Sequence, residues 1–107
     1  MIYRVDMVYK LRYLPLFEQD LTEARDYIAY VLQNPDAALR LIEETGLAIL
    51  KRLDNPLAFE PFRSAKDRQH PYYRIRVRNF TVFYVVIEDT MEVRRFVYSK
   101  RNLSELI

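Results

Sequence analysis

From Phe17 onward the apolar residues recur three and four positions apart. Phe17, Leu21, Ala24, Ile28 and Val31 form one stripe, and Asp20, Glu23 and Asp26 lie off it. That spacing predicts an amphipathic helix, and Pro15, inside "YLPLF", breaks the chain ahead of it. "NPDAA" at 34–38 then restarts a helix. Asn34 is suited to the cap, Pro35 to the first helical position, and Asp36 to the positive end of the dipole. This second helix is expected to reach about Leu53, with Leu39, Ile42, Ile49 and Leu53 on its buried stripe. Gly46 falls in the same stripe. It either lets the two helices approach closely or is tolerated there at a cost of about 1 kcal/mol.

Elsewhere the period drops to two. "IYRVDMVY" (2–9) reads as a strand rich in β-formers, and three more follow at "YYRIRV", "FTVFYVVI" (80–87) and "MEVRRFVYS" (91–99). "RN" (78–79) and "EDT" (88–90) are short enough to close antiparallel hairpins. Residues 54–71 contain three prolines and no period, which predicts a long loop. The middle strand of the three is apolar on both faces, so it belongs at the centre of a sheet, covered by helices on at least one side. The order β-α-α-β-β-β predicts an α+β domain, a helical hairpin packed on a mostly antiparallel four-stranded sheet.

Length fits this picture: 107 residues make one domain, spanning 1–107, with a single modest core. No apolar run reaches the roughly 18 residues of a membrane span, and "MIYRVDMVYK" carries charge where a signal peptide is apolar. A cytoplasmic protein is the expectation. With no cysteine and one histidine, His70, neither a thiolate nor a multi-histidine metal site is available. A single glycine excludes a glycine-rich phosphate loop, and no cofactor is expected.

Charge is distributed unevenly. Residues 1–50 hold 5 Lys/Arg against 8 Asp/Glu, whereas residues 51–107 hold 12 against 7. "RSAKDRQHPYYRIRVR" (63–78) alone carries six basic residues and one acid. If Tyr73, Ile75 and Val77 face the helices, Arg74, Arg76 and Arg78 face outward together. Arg94 or Arg95 of the last strand joins them, depending on register, and Lys100 and Arg101 follow. Guanidinium groups pair bidentately with phosphate, and Tyr72, Tyr84 and Tyr98 would stack on unpaired bases. An antiparallel sheet with one wet face explains the same alternation without any ligand. One chemistry needs little beyond such cations: RNA cleavage by the RNA's own 2′-hydroxyl. In it Arg74, Arg76 and Arg101 stabilise the phosphorane, and Glu60, His70 or a tyrosine moves the protons.

"FEQDLTEARDYIAYVLQNPDAALRLIEETGLAIL", "YYRIRVRNFTVFYVV" and "VYSKRNLSEL" together resemble the RelE/ParE superfamily of bacterial toxins from type II toxin–antitoxin modules, over roughly 3–107. The resemblance implies one of two activities. RelE-like members cut mRNA in the ribosomal A site, and ParE-like members inhibit DNA gyrase. Arg74 and Arg76 match the paired basic positions of the nucleases, and Arg101 their terminal arginine. Thr81 stands where the nucleases carry a catalytic arginine, and Ile107 where they carry a base-stacking tyrosine. Glu60, in "FEPF", lies in the region that holds the catalytic glutamate of YoeB-like relatives. Arg78, Lys100, Tyr72, Tyr98 and Arg95 are the remaining RNA-binding candidates. The resemblance also implies a cognate antitoxin, with Leu103, Leu106, Ile107 and apolar residues around the first helix as docking candidates. The arginine row favours translation-coupled mRNA cleavage. The alternatives are a gyrase poison and a member that only binds.

Overall fold

Pro15 has no N–H to donate, which costs nothing in the first turn of a helix, and α1 (Pro15–Asp26) starts there. The computed structural model describes residues 8–63, 69–101 and 103–107. Most of the strand expected over 2–9 lies outside the described residues, and the strand observed is β1, Lys10–Tyr13. At its C-terminal end α1 opens into a five-residue π-turn, Tyr27–Val31, in which the Leu32 N–H reaches back to the Tyr27 carbonyl at 3.0 Å. The extra residue per turn rotates the following side chains off the helical stripe. Val31, expected in that stripe, is therefore 64% exposed, whereas Phe17 is buried and Leu21, Ala24 and Ile28 pack against the core.

The second helix, α2 (Pro35–Leu53), begins as its sequence requires: the Asn34 side chain accepts from the Ala37 N–H at 3.1 Å, and Asp36 lies in the first turn. Its buried stripe is Ala38, Leu41, Thr45 and Ile49. Leu39, one position off that line, is exposed, which corrects the stripe drawn through it. No heavy atom lies within 4 Å of where a Gly46 Cβ would stand, so the close-approach reading of this glycine is wrong. Gly46→Ala is accordingly expected to raise the unfolding free energy by about 1 kcal/mol in a urea titration. A loss of stability would show that the open space beside it is not free.

Strands β2 (Tyr73–Val77), β3 (Phe80–Ile87) and β4 (Thr90–Tyr98) form two antiparallel hairpins, and β1 joins the sheet parallel to β4, in the order β1-β4-β3-β2. The fold is the expected α+β arrangement of a helical hairpin on a mostly antiparallel sheet. Each face of the sheet carries an apolar cluster. Tyr73, Ile75, Val82, Tyr84, Met91, Val93 and Phe96 meet α1 and α2. On the opposite face Tyr72, Phe83, Val85, Val97 and Ile107 form a second cluster, with Phe62, Leu103 and Leu106 packed against it. The short α3 (Leu103–Leu106) thus closes a core. Ile107, a docking candidate from sequence, is only 2% exposed, and this corrects that expectation.

Candidate anion-binding face

Alternation along β2 separates its side chains. Tyr73, Ile75 and Val77 are buried toward the helices, and Arg74 and Arg76 are exposed on the other side. β2 is the edge of the sheet, and just ahead of it Phe62 and Tyr72 form a bridge. Arg76 and Arg74 line a hollow of about 340 Å3 together with Thr81, Ser99 and Leu103. The Thr81 and Ser99 hydroxyls are 2.8 Å apart at its edge. A neighbouring hollow of about 300 Å3 is lined by Glu60, Pro61, Phe62, Arg63 and Arg74.

The loop that supplies Glu60 and Phe62 is fastened by Arg52, from the last turn of α2. Its Nη1 donates to the Arg74 carbonyl at 3.1 Å and to the Tyr84 hydroxyl at 3.0 Å, and its guanidinium lies 3.5 Å from the Phe59 ring centroid. Tyr84 in turn donates to the Pro56 carbonyl at 2.7 Å. Arg74 rests over the Phe62 ring at 5.2 Å. Arg52 was not singled out from sequence; its place in the last turn of an amphipathic helix, one residue before the partly buried Leu53, was the only signal.

Arg78 does not belong to the row. As the first residue of the β2–β3 turn it has φ 52°, in the left-handed region, which breaks the alternation and sends its side chain toward α2. There it is ion-paired with Glu44, its Nη2 donating to Oε1 at 2.9 Å, and this bond holds the Glu44 carboxyl below its usual value. Arg95 also leaves the face. The pairing of β3 with β4 slips between Phe83 and Tyr84, leaving Arg94 as the extra residue of a bulge. Arg95 then turns toward α1 and binds Asp20, while Arg94 takes Glu92 at 2.9 Å and the Tyr72 hydroxyl at 3.4 Å.

The aromatic candidates are likewise displaced. Tyr72 and Tyr84 are buried, so no base can stack on either. Tyr98 is half-exposed but packs beside Phe80, in a groove of about 560 Å3 between the end of α1 and strands β3 and β4. Arg101 lines that same groove, away from Arg74 and Arg76. Lys100 is exposed in the turn after β4, and half-buried His70 lines neither arginine hollow. Glu60, Arg74 and Arg76 are therefore brought together, and Arg78, Arg95, Tyr98 and Arg101 are not. Among the described residues no group of three His, Cys, Asp or Glu could hold a metal ion, and no helix is long and apolar enough to cross a membrane.

Residues 11–103 match the family described as the ParE toxin of the type II toxin-antitoxin system parDE. The chain belongs to the ParE toxin family. Among curated proteins none matches it. In three dimensions this ParE-family chain is similar to a chain of the chromosomal ParDE TA system from P. aeruginosa, at 16% identity and TM-score 0.67, covering 87% of this chain and 98% of that one. It is also similar to a chain of the E. coli DinJ-YafQ toxin-antitoxin complex, at 7% identity and TM-score 0.54, covering 86% and 93%. At such identities the likeness establishes the fold. As a ParE-type member of the RelE/ParE superfamily, the protein is a type II toxin.

Proposed function

We propose that this toxin arrests growth by inhibiting DNA gyrase through binding, and that a cognate antitoxin holds it inactive in the cytoplasm. The observation that carries this reading is the Thr81–Ser99 hydroxyl pair beside Arg74 and Arg76. Nuclease relatives are expected to place a third, catalytic arginine at the Thr81 position. Here a buried hydroxyl with a neutral partner stands in its place, and it cannot neutralise charge on a phosphorane as a guanidinium does. Ile107, at the position of the expected base-stacking tyrosine, is buried in the second core. Membership of the ParE family supports the same side.

The mRNA-cleaving reading keeps one specific support: Glu60 shares a hollow with Arg74, so a carboxylate and a cation do lie side by side. For the antitoxin, the support is the apolar surface around the end of α1. Tyr27, Tyr30, Val31 and Leu32 are 55%, 76%, 64% and 55% exposed, an apolar patch suited to a partner's helix or extended segment.

Induction of the chain alone in a bacterial host, with primer extension on an abundant mRNA and a gyrase supercoiling assay, tests the proposal. Growth arrest, unchanged 5′ ends and lost supercoiling are expected. New 5′ ends inside translated codons that vanish with Arg74→Ala plus Arg76→Ala would replace it with cleavage. Normal growth with folded protein would leave a member that only binds.

A further inference from the structure

Five arginines among the described residues already have a carboxylate. Arg12 and Arg94 share Glu92, Arg25 holds Asp26, Arg78 holds Glu44 and Arg95 holds Asp20. Among the described residues Arg63, Arg74 and Arg76 hold none, and these three line two adjoining hollows on one face. Arg40, Arg52 and Arg101 also lack one, but Arg52 is spent on the Arg74 carbonyl and the Tyr84 hydroxyl, and Arg40 and Arg101 lie apart, on α2 and in the groove beside α1. Glu60 lines the hollow of Arg63 and Arg74 without pairing to either. The hollow shared by Arg74 and Arg76 has, among the described residues, no carboxylate in its lining. These neighbouring guanidiniums therefore repel each other mildly in water and gain from any anion that bridges them.

The hydroxyl pair extends the donor set. One proton is used between Thr81 and Ser99, so the pair retains one proton to donate outward. Thr81 is 3% exposed and Ser99 is the more accessible of the two, which places that donor on Ser99. Two guanidinium forks and a hydroxyl around one hollow exceed what the two oxygens of a carboxylate can accept fully, and suit a phosphate group. Arg74 and Arg76 alternate on one strand about 7 Å apart, with Arg63 beyond Arg74, so the cations form a track.

Duplex is favoured over single strands because, among the described residues, this face offers no open ring. Tyr72 and Phe83 are buried and Phe62 lies under the Arg74 guanidinium, whereas single-stranded binding relies on bases stacking on exposed aromatics. We propose that Arg63, Arg74, Arg76 and Ser99 grip the phosphate backbone of duplex DNA, so that the toxin engages the DNA on which its target enzyme acts. This rests on the gyrase reading for its biological setting, but not for its chemistry.

The test is fluorescence anisotropy of the full chain with a short DNA duplex over a range of KCl concentrations. Arg74→Gln plus Arg76→Gln should weaken binding at least about tenfold and lower the slope of log K against log salt by about 2. Ser99→Ala removes a neutral donor and should weaken binding about threefold to tenfold with the slope unchanged. Arg101→Gln, on the other side of the sheet, should change neither, and circular dichroism melts confirm that each variant is folded. An unchanged slope in the double arginine variant overturns the proposal, as does tighter binding to single-stranded RNA of the same length. If duplex binding depends on these residues but wild-type protein spares supercoiling, the DNA site stands and the gyrase reading falls. If the double arginine variant still abolishes supercoiling and binds DNA unchanged, the gyrase reading stands and the DNA site falls.

Discussion

Asp20→Ala is expected to destabilise the fold by about 3–4 kcal/mol, a large share of the total for a domain of this size. The carboxylate accepts three hydrogen bonds: from Arg95 Nε at 2.8 Å, from Arg95 Nη2 at 3.4 Å and from the Phe96 backbone N–H at 3.0 Å. The side chains of Arg95 and Asp20 are only 22% and 11% exposed. Truncation therefore leaves a largely buried cation and a backbone donor without partners, which costs far more than an exposed pair contributes. The bulge in β4 makes the contact structural, since α1 docks there on the irregular part of its strand. Asp20→Asn keeps an acceptor for Phe96 and should lose only about half as much. Replacing both partners, Asp20→Leu with Arg95→Met, removes the buried charge but still orphans the Phe96 N–H, so about 1–2 kcal/mol should remain lost. Urea unfolding of the three variants measures this. A loss below about 1 kcal/mol for Asp20→Ala would mean that water replaces the carboxylate at this site.

The parts of this fold set by local chemistry were legible in the sequence. Asn34, Pro35 and Asp36 announce the start of α2 through a cap, a fixed φ and a dipole. Arg74 and Arg76 are outward on the edge strand because period-two burial of Tyr73, Ile75 and Val77 leaves them no other side. What was not legible arises where the period slips by one residue. Left-handed Arg78, the bulge at Arg94 and the π-turn ahead of Leu32 each reverse or rotate the side chains that follow. Such slips are settled by pairing between distant strands and helices, which single-sequence periodicity does not encode. Of the cations expected beside Arg74 and Arg76, Arg78 and one of Arg94 or Arg95, only Arg94 stays, and Arg78 and Arg95 become ties between sheet and helices. The candidate site is narrower than the arginine row suggested. It gains Arg63, Thr81 and Ser99 from the loop and the neighbouring strand ends.

Tyr84→Phe should cost about 2–3 kcal/mol near neutral pH and also flatten the alkaline limb of the stability curve. The ring is fully buried and stacked on Tyr73 at 5.4 Å, and phenylalanine preserves that packing. The hydroxyl is what disappears. It donates to the Pro56 carbonyl, which then has no replacement donor, and it accepts from Arg52, which then keeps only the Arg74 carbonyl. Burial raises the Tyr84 pKa above the usual 10.0, and the opposing pull of Arg52 is smaller. The folded state therefore retains this proton more tightly than the unfolded chain, so the contribution is complete below pH 10.0 and is lost as pH rises through the folded value. Wild type and Tyr84→Phe should thus converge in unfolding free energy on going from about pH 8 to about pH 11. Tyr13, also raised by burial and by Glu18, titrates in both proteins and cancels in the difference. A gap that stays constant with pH would place the effect of the hydroxyl in packing alone. If the latch also holds the arginine hollows, amide exchange over residues 54–63 should quicken in Tyr84→Phe while the β3–β4 amides stay protected, because the Pro56 and Arg52 bonds join that loop to the sheet. Uniform quickening across the sheet would instead show that loop and sheet unfold as one unit.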